Sequence, residues 1–552
     1  MSIGSERLFA LSHEETSRLR KKVWNQVSTH IDGIALGTTI SALHERGILD
    51  EIAQQPGIRA GKIVARINCR RGYLHVMLKL LSLQGWLLRT GPIGDDMELR
   101  LTPEASELPR YAHFYNHSHA GLRTAHRLAS ETVFPPANLL PEAKELLENA
   151  ARGWGISSAA CKQERALLSR VSAHLDGFVA AGHLTLLERL RLLPDKADIH
   201  RQLPVAADEN AELLTRFLCR IGWAQHENGL LDWTAEGVMA ALMQPQYWYP
   251  LTYLATLSRA GELLSGKSTN LNRLDERGDE LHLDRNLDIR FSGEVFNQTC
   301  REPFLALVLP IFNQPLAEQP VYLVDVGCGN GNLLAITWKA IVEQTQRGSR
   351  LSERPLIAVG LDVNRIARET AASALTSLSI PNIVLSGDIG EPAAIENMLH
   401  EYGISCGDCL FLTKSVIHNR RFRKPKFTVN STEDDGALVF VTDGGELISA
   451  PEIEQSLVEL LSDWRPLITK HGWIVIEAHS VSAETGAANL GRSQITILDA
   501  THGFSNQYLM EPQRFRRAAS RAGLRSVGGS EMGEAEIGHV ALTFDRFEVE
   551  TS

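Results

Sequence analysis

The chain has 552 residues, 43% of them apolar and 22% charged, which is the balance of an ordinary globular protein rather than a disordered or fibrous one. Its length predicts two to four domains, each large enough to bury a core. A formal net charge of −10 and a pI near 6.0 disfavour nucleic acid as a partner, because broad binding to phosphate backbones needs a positive surface.

The N-terminal sequence and the cysteines predict a cytoplasmic protein. Residues 1–22 lack the apolar core of a signal peptide, and no long uncharged apolar run predicts a membrane span. Seven cysteines, an odd number, do not indicate a disulfide framework and fit a reducing compartment. We therefore expect no membrane partner.

The first half of the chain contains an internal repeat. The segment VSTHIDG at residues 27–33 returns 144 residues later as VSAHLDG at residues 171–177. Each copy is followed by an apolar-periodic helix that ends in Gly-Trp, and glycine there tolerates the left-handed cap of a helix. The short β-like runs LRLTPEA and LDWTAEG come next. This order of elements predicts two winged-helix-like modules within a mostly α-helical region.

We assign the first module to residues 1–150 and the second, with a linker, to residues 151–285. Winged helices often bind DNA, but the first would-be recognition helix carries only Arg71, His75 and Lys79 as basic or titratable residues. Base readout needs an exposed helix face with arginine, asparagine or glutamine. We therefore expect buried helices with a structural or self-association role, and DNA contact is the minor alternative.

A polar, charged segment at residues 258–290 is interpreted as the linker. Beyond it, apolar strands alternate with amphipathic helices, from VYLVDVG through NLLAITWKAIVEQTQ to GWIVIEAHSV. This alternation predicts an α/β domain at residues 286–552, with a mainly parallel, Rossmann-like sheet covered by helices on both faces. Ligands of such sheets bind at the carboxyl ends of the strands.

The stretch VDVGCGNGN places three glycines in five positions, a turn that lets a ligand approach the backbone closely. A dinucleotide fingerprint, G-x-G-x-x-G, fits imperfectly, because Asn332 stands at the place of the third glycine. A phosphate-binding P-loop is not supported, because no lysine lies between the first glycine of the turn, Gly327, and Trp338. The remaining pattern is apolar-Asp-x-Gly-x-Gly-x-Gly.

Two further carboxylates follow the next two predicted strands. Asp362 ends the second strand, where a carboxylate can accept hydrogen bonds from two ribose hydroxyls, and Asp388 ends the third. The structural alternatives are that Asp362 caps the helix that starts near Asn364 and that Asp388 forms a turn. Because both follow the glycine turn at successive strand ends, a ligand site is the favoured interpretation.

Together these features resemble the first motifs of class I S-adenosylmethionine-dependent methyltransferases. The resemblance implies that S-adenosylmethionine is the cofactor, that the glycines lie against its amino-acid part and that Asp325 helps to hold its ammonium group. It also implies that the end of the third strand contacts the adenine amine. The implied cofactor-binding residues are Asp325, Gly327, Gly329, Gly331, Asp362, Asp388 and Ile389.

A wider resemblance runs from about Phe291 to the C-terminus, carried by SVIHNRRF and by DATHGFSNQYLMEPQRF. These stretches resemble the methyltransferase domains of bacterial polyketide assembly lines, of the second-methyltransferase type of the apratoxin loading module. The resemblance implies methyl transfer to carbon or oxygen of a small acyl or carboxylate-bearing acceptor, free or held on an acyl carrier protein. The sequence departs from that family at Asn419, where an aspartate is expected.

Methyl transfer needs the donor and the acceptor to be aligned, and it needs a base where the acceptor must lose a proton. Histidine suits that base near neutral pH. His418, after the fourth strand, is the preferred base, and His502 comes next. Glu477 is expected to orient a partner or hold the acceptor, and His479 ranks lower. The alternative for each histidine is a structural role.

A mononuclear metal site is the less favoured alternative. His418, His502 and Gln507 offer nitrogen and oxygen ligands for iron or manganese, and the related methyltransferase of the apratoxin module uses such a metal. No closely spaced cluster of ligands occurs in the sequence, so a metal-free site is preferred.

The stretch NRRFRKPK at residues 419–426 contains five basic residues. A solvated loop is slightly favoured over a docking site for an anionic substrate or a carrier protein. The favoured function is a methyltransferase of specialised metabolism, with carbon narrowly preferred over oxygen as the acceptor atom. The alternative is a cofactor-binding regulatory or structural protein whose modules bind DNA or a partner protein. We expect the helical region to cover the cleft or to form a homodimer.

Overall fold

A computed structural model describes most of the chain. The described residues are 12–131, 133–134, 140–156, 162–195, 198, 201, 203–204, 208–227, 230–268, 271, 274–275, 280–427, 438–534 and 539–550.

The first half is mostly helical, with six short strands. Its elements are α1 (His13–Glu45), α2 (Ile48–Gln54), β1 (Ile58–Arg59), α3 (Ala60–Ile67), α4 (Arg71–Leu83), β2 (Leu87–Thr90), β3 (Glu98–Leu101), α5 (Leu108–Tyr111), α6 (Ser118–Ser130), α7 (Pro141–Ala151), α8 (Lys162–Arg189), β4 (Leu203–Pro204), α9 (Glu209–Arg220), β5 (Ala224–Glu227), β6 (Leu230–Trp233), α10 (Ala235–Leu242), α11 (Trp248–Thr252), α12 (Leu254–Leu257) and α13 (Ala260–Ser265).

The second half alternates strands and helices. Its elements are α14 (Arg285–Val295), α15 (Arg301–Val308), β7 (Tyr322–Val326), α16 (Asn332–Gln344), β8 (Ile357–Leu361), α17 (Arg365–Ser377), β9 (Asn382–Leu385), α18 (Pro392–Glu401), β10 (Cys409–Lys414), β11 (Phe440–Val441), β12 (Leu447–Ile448), α19 (Ala450–Trp464), β13 (Trp473–Ala478), α20 (Ala483–Ala488), α21 (Ile495–Phe504), α22 (Pro512–Arg521), β14 (Leu524–Glu534) and β15 (His539–Val549).

The chain packs as two compact units. The first unit contains residues 1–269 and 483–504, and the second contains residues 270–482 and 505–552. The predicted boundary between two N-terminal modules lies inside the first unit and stays a prediction. No feature of the sequence indicated that residues 483–504 would belong to the first unit.

The internal repeat corresponds to a repeated arrangement of elements in the first unit. Each copy has a long helix, a helix closed by a glycine with positive φ, and a three-stranded antiparallel sheet, β1-β3-β2 in one copy and β4-β6-β5 in the other. The closing glycines, Gly85 and Gly222, have φ angles of +67° and +83°, as the Gly-Trp pattern predicted. The helix Arg71–Leu83 is buried along nearly its whole length. The identification of these modules as winged helices stays a prediction.

The two long helices, α1 and α8, cross at the repeated glycines. A Cβ atom on Gly33 would lie 2.2 Å from the Cα of His174, and one on Gly177 would lie 2.2 Å from the carbonyl oxygen of His30. Nδ1 of His30 lies 2.7 Å from the hydroxyl of Tyr247, and Nδ1 of His174 lies 2.7 Å from the hydroxyl of Tyr115, so the two histidines make equivalent hydrogen bonds. The sequence repeat is therefore a repeat of packing.

Residues 483–504 pack on the first copy of the repeat through buried polar contacts. The ammonium of Lys79 lies 2.6 Å from the carboxylate of Asp499, and both side chains are 6% exposed. Gln84 donates from Nε2 to Thr496 Oγ1 at 2.9 Å. Because a buried charge without its partner is costly, the ion pair fixes where this segment packs.

The second unit is built on a seven-stranded sheet in the order β14-β15-β13-β10-β7-β8-β9. The five strands from β13 to β9 are parallel, and β15 and β14 add antiparallel at one edge. Alternate residues along the strands pack into two apolar cores, one on each face of the sheet. The predicted Rossmann-like α/β architecture is confirmed, with an antiparallel pair added at the β14 edge.

The segment interpreted as a linker, residues 258–290, is largely structured where it is described. It contains α13 and the start of α14, and His282 is buried within it. The segment therefore contains helical and buried parts, while residues 269–270, 272–273 and 276–279 lie outside the described residues, and its assignment as a linker stays a prediction. Among the described helices, none is both long enough and apolar enough to cross a membrane.

Candidate functional site

The glycine turn joins β7 to α16 at the carboxyl edge of the sheet. Gly327, Gly329 and Gly331 have φ angles of +82°, +53° and +77°, a conformation that side chains with a Cβ rarely adopt. A Cβ on Gly327 would lie 2.4 Å from Val416 Cγ2, whereas one on Gly329 would meet no described atom within 4 Å. The turn is therefore packed on one side and open at its middle glycine.

Asp325 lies in β7 directly before the turn and is 1% exposed. Among the described residues, no hydrogen-bond partner lies within reach of its Oδ1. Burial raises the pKa of its carboxyl to about 8, the nearby carboxylate of Asp362 adds to the rise, and the ammonium of Lys414 opposes it. A buried carboxylate oxygen without a partner fits a cationic ligand such as an ammonium group.

Asp362 follows β8 and faces the same turn. Its Oδ2 accepts a hydrogen bond from the Gly329 amide at 3.0 Å, and its Oδ1 accepts one from the Asn364 amide at 2.8 Å. Asn364, rather than Asp362, caps α17 by accepting from the Ala367 amide at 3.0 Å. Capping therefore does not explain Asp362, whose carboxylate can still accept hydrogen bonds from ligand hydroxyls.

Asp388 and Ile389 follow β9, as the sequence predicted. Asp388 Oδ1 accepts a hydrogen bond from the Gly390 amide at 2.8 Å, which is the contact of a turn-forming aspartate. Ile389 is 4% exposed in the apolar core, and its carbonyl oxygen accepts from Trp464 Nε1 at 2.9 Å. Their contact with adenine stays a prediction.

His418 and Glu477 form a buried pair at the carboxyl ends of β10 and β13. Nδ1 of His418 and Oε1 of Glu477 are in hydrogen-bond contact, and the side chains are 6% and 2% exposed. Glu477 Oε2 also accepts from the Ile417 amide at 3.2 Å, so the carboxylate is fixed on both oxygens. Because a carboxylate oxygen can only accept, Nδ1 of His418 is the donor in this hydrogen bond.

His479 has a structural environment. Its Nδ1 lies 3.0 Å from the carbonyl oxygen of Met510 and its Nε2 lies 2.9 Å from Thr543 Oγ1. Burial lowers the pKa of this imidazole to about 4. With both nitrogens bound and the ring neutral, His479 is placed to hold the sheet together.

His502 lies in the first unit, on α21, whereas His418 lies in the second. Nδ1 of His502 donates to the carbonyl oxygen of Leu498 at 2.7 Å, and the ring of His502 lies beside that of Tyr253. Gln507, the third residue of the alternative metal site, donates from Nε2 to Ser505 Oγ at 2.9 Å. Among the described residues, no group of three or more His, Cys, Asp or Glu side chains is arranged to hold a metal ion.

One of the five basic residues in the stretch 419–426 is buried, although a solvated loop was expected there. Arg420 is 3% exposed, donates to the carbonyl oxygens of Ile417 and Ile453, and lies over the ring of Tyr508. It therefore holds the loop after β10 rather than facing solvent. The four basic residues that are exposed are Arg421, Arg423, Lys424 and Lys426.

Sequence reasoning missed several charged residues around the site. Lys414 ends β10 and donates from Nζ to Ser292 Oγ at 2.7 Å. Arg285 pairs with Glu280 through two nitrogens, beside Asp362. The sequence could have indicated Lys414, because it is a charged residue near the end of a predicted strand. The Arg285 pair lies in a segment without periodicity, so no sequence pattern indicated it.

Comparison with known protein families found two matches along the chain. Residues 280–532 match the family described as the AprA MT2-like domain, and residues 23–89 match the AprA N-terminal domain. A search of curated proteins found no match.

Three of the solved structures that match the chain do so at low sequence identity. An O-methyltransferase family protein from Burkholderia thailandensis is 12% identical at a TM-score of 0.36, over 62% of this chain and 84% of its own. Human N-acetylserotonin methyltransferase is 12% identical at a TM-score of 0.34, over 81% of this chain and 98% of its own. The CurJ carbon methyltransferase is 10% identical at a TM-score of 0.34, over 90% of this chain and 100% of its own.

Proposed function

We propose that the chain transfers a methyl group from S-adenosylmethionine to carbon or oxygen of a small acyl or carboxylate-bearing acceptor, because residues 280–532 match the AprA MT2-like domain. The observation that carries this proposal is the placement of the His418–Glu477 pair at the same edge of the sheet as the glycine turn. Val416, two residues before His418, contacts Gly327 of that turn. A base and a cofactor site are thereby built from neighbouring strand ends.

The residues around the turn fit S-adenosylmethionine. Gly329 leaves the backbone open to the amino-acid part, Asp325 offers an unpartnered carboxylate oxygen to the ammonium, and Asp362 offers acceptors to the ribose hydroxyls. When bound, the cofactor supplies an electrophilic methyl group on a sulfonium. We assign Asp388 and Ile389 to the adenine on their position after β9.

His418 is the proposed general base. Glu477 holds the Nδ1 proton and fixes the ring, so that the lone pair on Nε2 can take a proton from the acceptor. The pair is buried, and the exclusion of water strengthens the interaction between carboxylate and imidazole. Removal of a proton from an acidic C–H or O–H group by His418 would leave that proton on the imidazole and an electron pair on the acceptor atom. Aligning the acceptor contributes the rest of the rate enhancement.

We prefer carbon narrowly as the acceptor atom and propose specialised, polyketide-like metabolism as the setting. The exposed basic residues after β10 are the proposed contact for an anionic acceptor or an acyl carrier protein. Arg423 already pairs with Glu391, so Arg421, Lys424 and Lys426 are the better placed residues for this role. Both proposals rest on the family resemblance and on charge.

The test is a methyl-transfer assay with purified protein, labelled S-adenosylmethionine and a panel of β-ketoacyl and malonyl thioesters, offered both free and on a carrier protein. Titration calorimetry with S-adenosylhomocysteine is run beside it. Binding of the product with transfer to one acyl class supports the proposal, and mass spectrometry of the product distinguishes carbon from oxygen. An absence of any binding heat with folded protein would refute it.

A further inference from the structure

An ion-pair group lies at the start of α14, in the segment that precedes the sheet. Arg285 donates through Nε and Nη2 to the two carboxylate oxygens of Glu280, and through Nη1 to Asp288 Oδ2 at 2.6 Å. The Glu280 side chain is 6% exposed and the Arg285 side chain 21% exposed. A largely buried, two-pronged pair of this kind fixes geometry, which an exposed pair does not.

This group adjoins the carboxylate proposed for the ribose. Asn364 donates from Nδ2 to Glu280 Oε2 at 3.2 Å and from its amide to Asp362 Oδ1 at 2.8 Å, so it connects the two acids. Burial raises the pKa of Asp362, and the guanidinium of Arg285 is the largest effect that opposes the rise. Burial also raises the pKa of Glu280, against the same guanidinium. Two buried carboxylates thus share one arginine.

The helix that begins at Arg285 runs across the carboxyl ends of three adjacent strands. Its start lies by Asp362 after β8, a Cβ on Gly293 would be 3.8 Å from Asn332 Nδ2 after the glycine turn, and Ser292 bonds Lys414 at the end of β10. None of the 11 residues of α14 is buried. A ligand seated in the turn would therefore lie next to this helix.

We infer that Arg285 is a positioning residue for the nucleoside of the cofactor, held by Glu280 and Asp288 and acting through the Asp362 carboxylate. The inference rests on the proposed function. An ionised Asp362 can accept hydrogen bonds from two hydroxyls without itself donating one, and the guanidinium of Arg285, whose side chain is 21% exposed, stabilises this ionised form. An apolar residue would anchor α14 without the cost of desolvating a charge, so anchoring alone does not account for an arginine here.

The test compares two ligands by titration calorimetry on the full chain. The ligands are S-adenosylhomocysteine and its 2′,3′-dideoxy analogue, which lacks both ribose hydroxyls. The variants are Arg285→Met and Arg285→Lys, and Arg350→Met serves as the control, because Arg350 also pairs with an acid three residues away but is exposed. Thermal unfolding of each variant accompanies the binding measurements.

We expect Arg285→Met to weaken the binding of S-adenosylhomocysteine about tenfold or more, which corresponds to roughly one unit of carboxylate pKa. The Kd of the dideoxy analogue should stay within about twofold of that of the wild type. Arg285→Lys keeps the charge but loses the two-pronged geometry, so we expect an intermediate loss for S-adenosylhomocysteine. Arg350→Met should bind both ligands as wild type does.

An equal loss of affinity for both ligands in Arg285→Met would show that Arg285 only supports the fold. Unchanged affinity for both ligands would also overturn the inference, while leaving the proposed function intact. If wild type binds neither ligand, the proposed function itself fails. Should Arg285→Met not fold, the same comparison of ligands with Arg285→Lys decides, because a loss confined to S-adenosylhomocysteine supports the inference and an equal loss contradicts it.

Discussion

At the scale of single residues, His418 carries the proposed proton step. We expect His418→Ala to lower kcat by about a hundredfold or more, because general-base catalysis typically contributes that much. The Kd for S-adenosylhomocysteine should stay unchanged, since the imidazole is proposed to contact the acceptor rather than the cofactor. Steady-state kinetics and calorimetry on the same preparation check both statements.

The matched control is His400→Ala, which removes an exposed imidazole from α18 of the same unit. It should leave kcat as in wild type. Glu477→Gln should lower kcat in the same direction as His418→Ala, because the amide no longer accepts the Nδ1 proton with a full negative charge. Wild-type turnover in a folded His418→Ala variant would assign the base elsewhere.

The raised pKa of Asp325 predicts how the stability of the protein changes with pH. Its pKa lies at about 8 in the folded chain against an ordinary value of 3.8, so between these values the folded state keeps a proton that the unfolded state has released. This contribution therefore lowers stability as pH rises through the window and becomes constant above it. Asp325→Asn removes the free-energy cost of ionising this buried carboxyl group.

We accordingly expect the stability gain of Asp325→Asn over wild type to grow from about pH 5 to about pH 8, by no more than roughly 1.4 kcal/mol per pH unit. Urea unfolding across that range measures it, with Asp463→Asn, an exposed carboxylate on α19, as the control. The same variant should weaken binding of S-adenosylhomocysteine. A gain independent of pH would mean that the carboxylate is already ionised in the folded chain.

The sequence located some of these residues and not others, for a physical reason. The positions of Asp362 and His418 were predictable because side chains after successive strands of a parallel sheet gather at one edge, while their roles stay predictions. The contact between His418 and Glu477 joins residues 59 apart and depends on the parallel pairing of β10 with β13. Arg285 owes its position to packing outside any periodic pattern, so the sequence did not indicate it.

At the scale of elements, the crossing of α1 and α8 depends on two missing side chains. Gly33→Ala would place a Cβ 2.2 Å from a backbone carbon of His174, and backbone atoms cannot move aside as the end of a side chain can. We expect a loss of at least about 1–3 kcal/mol in the free energy of unfolding, as for overpacked cores. The urea midpoint of the transition reports it.

Gly261→Ala is the matched control, because Gly261 also lies in a helix of the first unit. There a Cβ would sit 3.5 Å from Ala42, an ordinary contact, and alanine favours helix over glycine by roughly 1 kcal/mol. This variant should be neutral or slightly more stable. Equal effects of the two substitutions would mean that the helices separate at the crossing without penalty.

Elements with a clear period were predictable, and elements defined by packing were not. The alternation of strands and helices from β7 to β10, and again from α19 to β13, was predictable from apolar runs and amphipathic helices. The antiparallel strands β14 and β15 and the short hairpin β11–β12 were not anticipated. Their residues show weaker alternation, and their pairing depends on neighbours distant in sequence.

At the scale of the whole molecule, the first unit is discontinuous in sequence. Residues 1–269 made alone lack α20 and α21, and therefore lack Asp499, the partner of the buried Lys79. We expect this fragment to be less stable than the same region in the full chain. A synthetic peptide of residues 483–504 should bind it and raise its unfolding temperature, which thermal shift and calorimetry measure.

A peptide carrying Asp499→Asn is the control. It should bind about a hundredfold or more weaker, because removing one partner of a buried ion pair leaves the other charge uncompensated, at a cost of about 3–5 kcal/mol. Tight binding of the altered peptide, or no stabilisation by the natural one, would contradict the assignment of this segment to the first unit.

The late position of residues 483–504 has a consequence for biosynthesis. The ribosome completes residue 269 long before it reaches residue 504, so a nascent chain carries Lys79 and the apolar surface of α4 through more than two hundred further residues of translation without their covering segment. Domains commonly fold in order from the N-terminus as they emerge. In this chain the first unit is complete only after residues 483–504 have been made, so we expect the nascent N-terminal region to be a client for chaperones during synthesis.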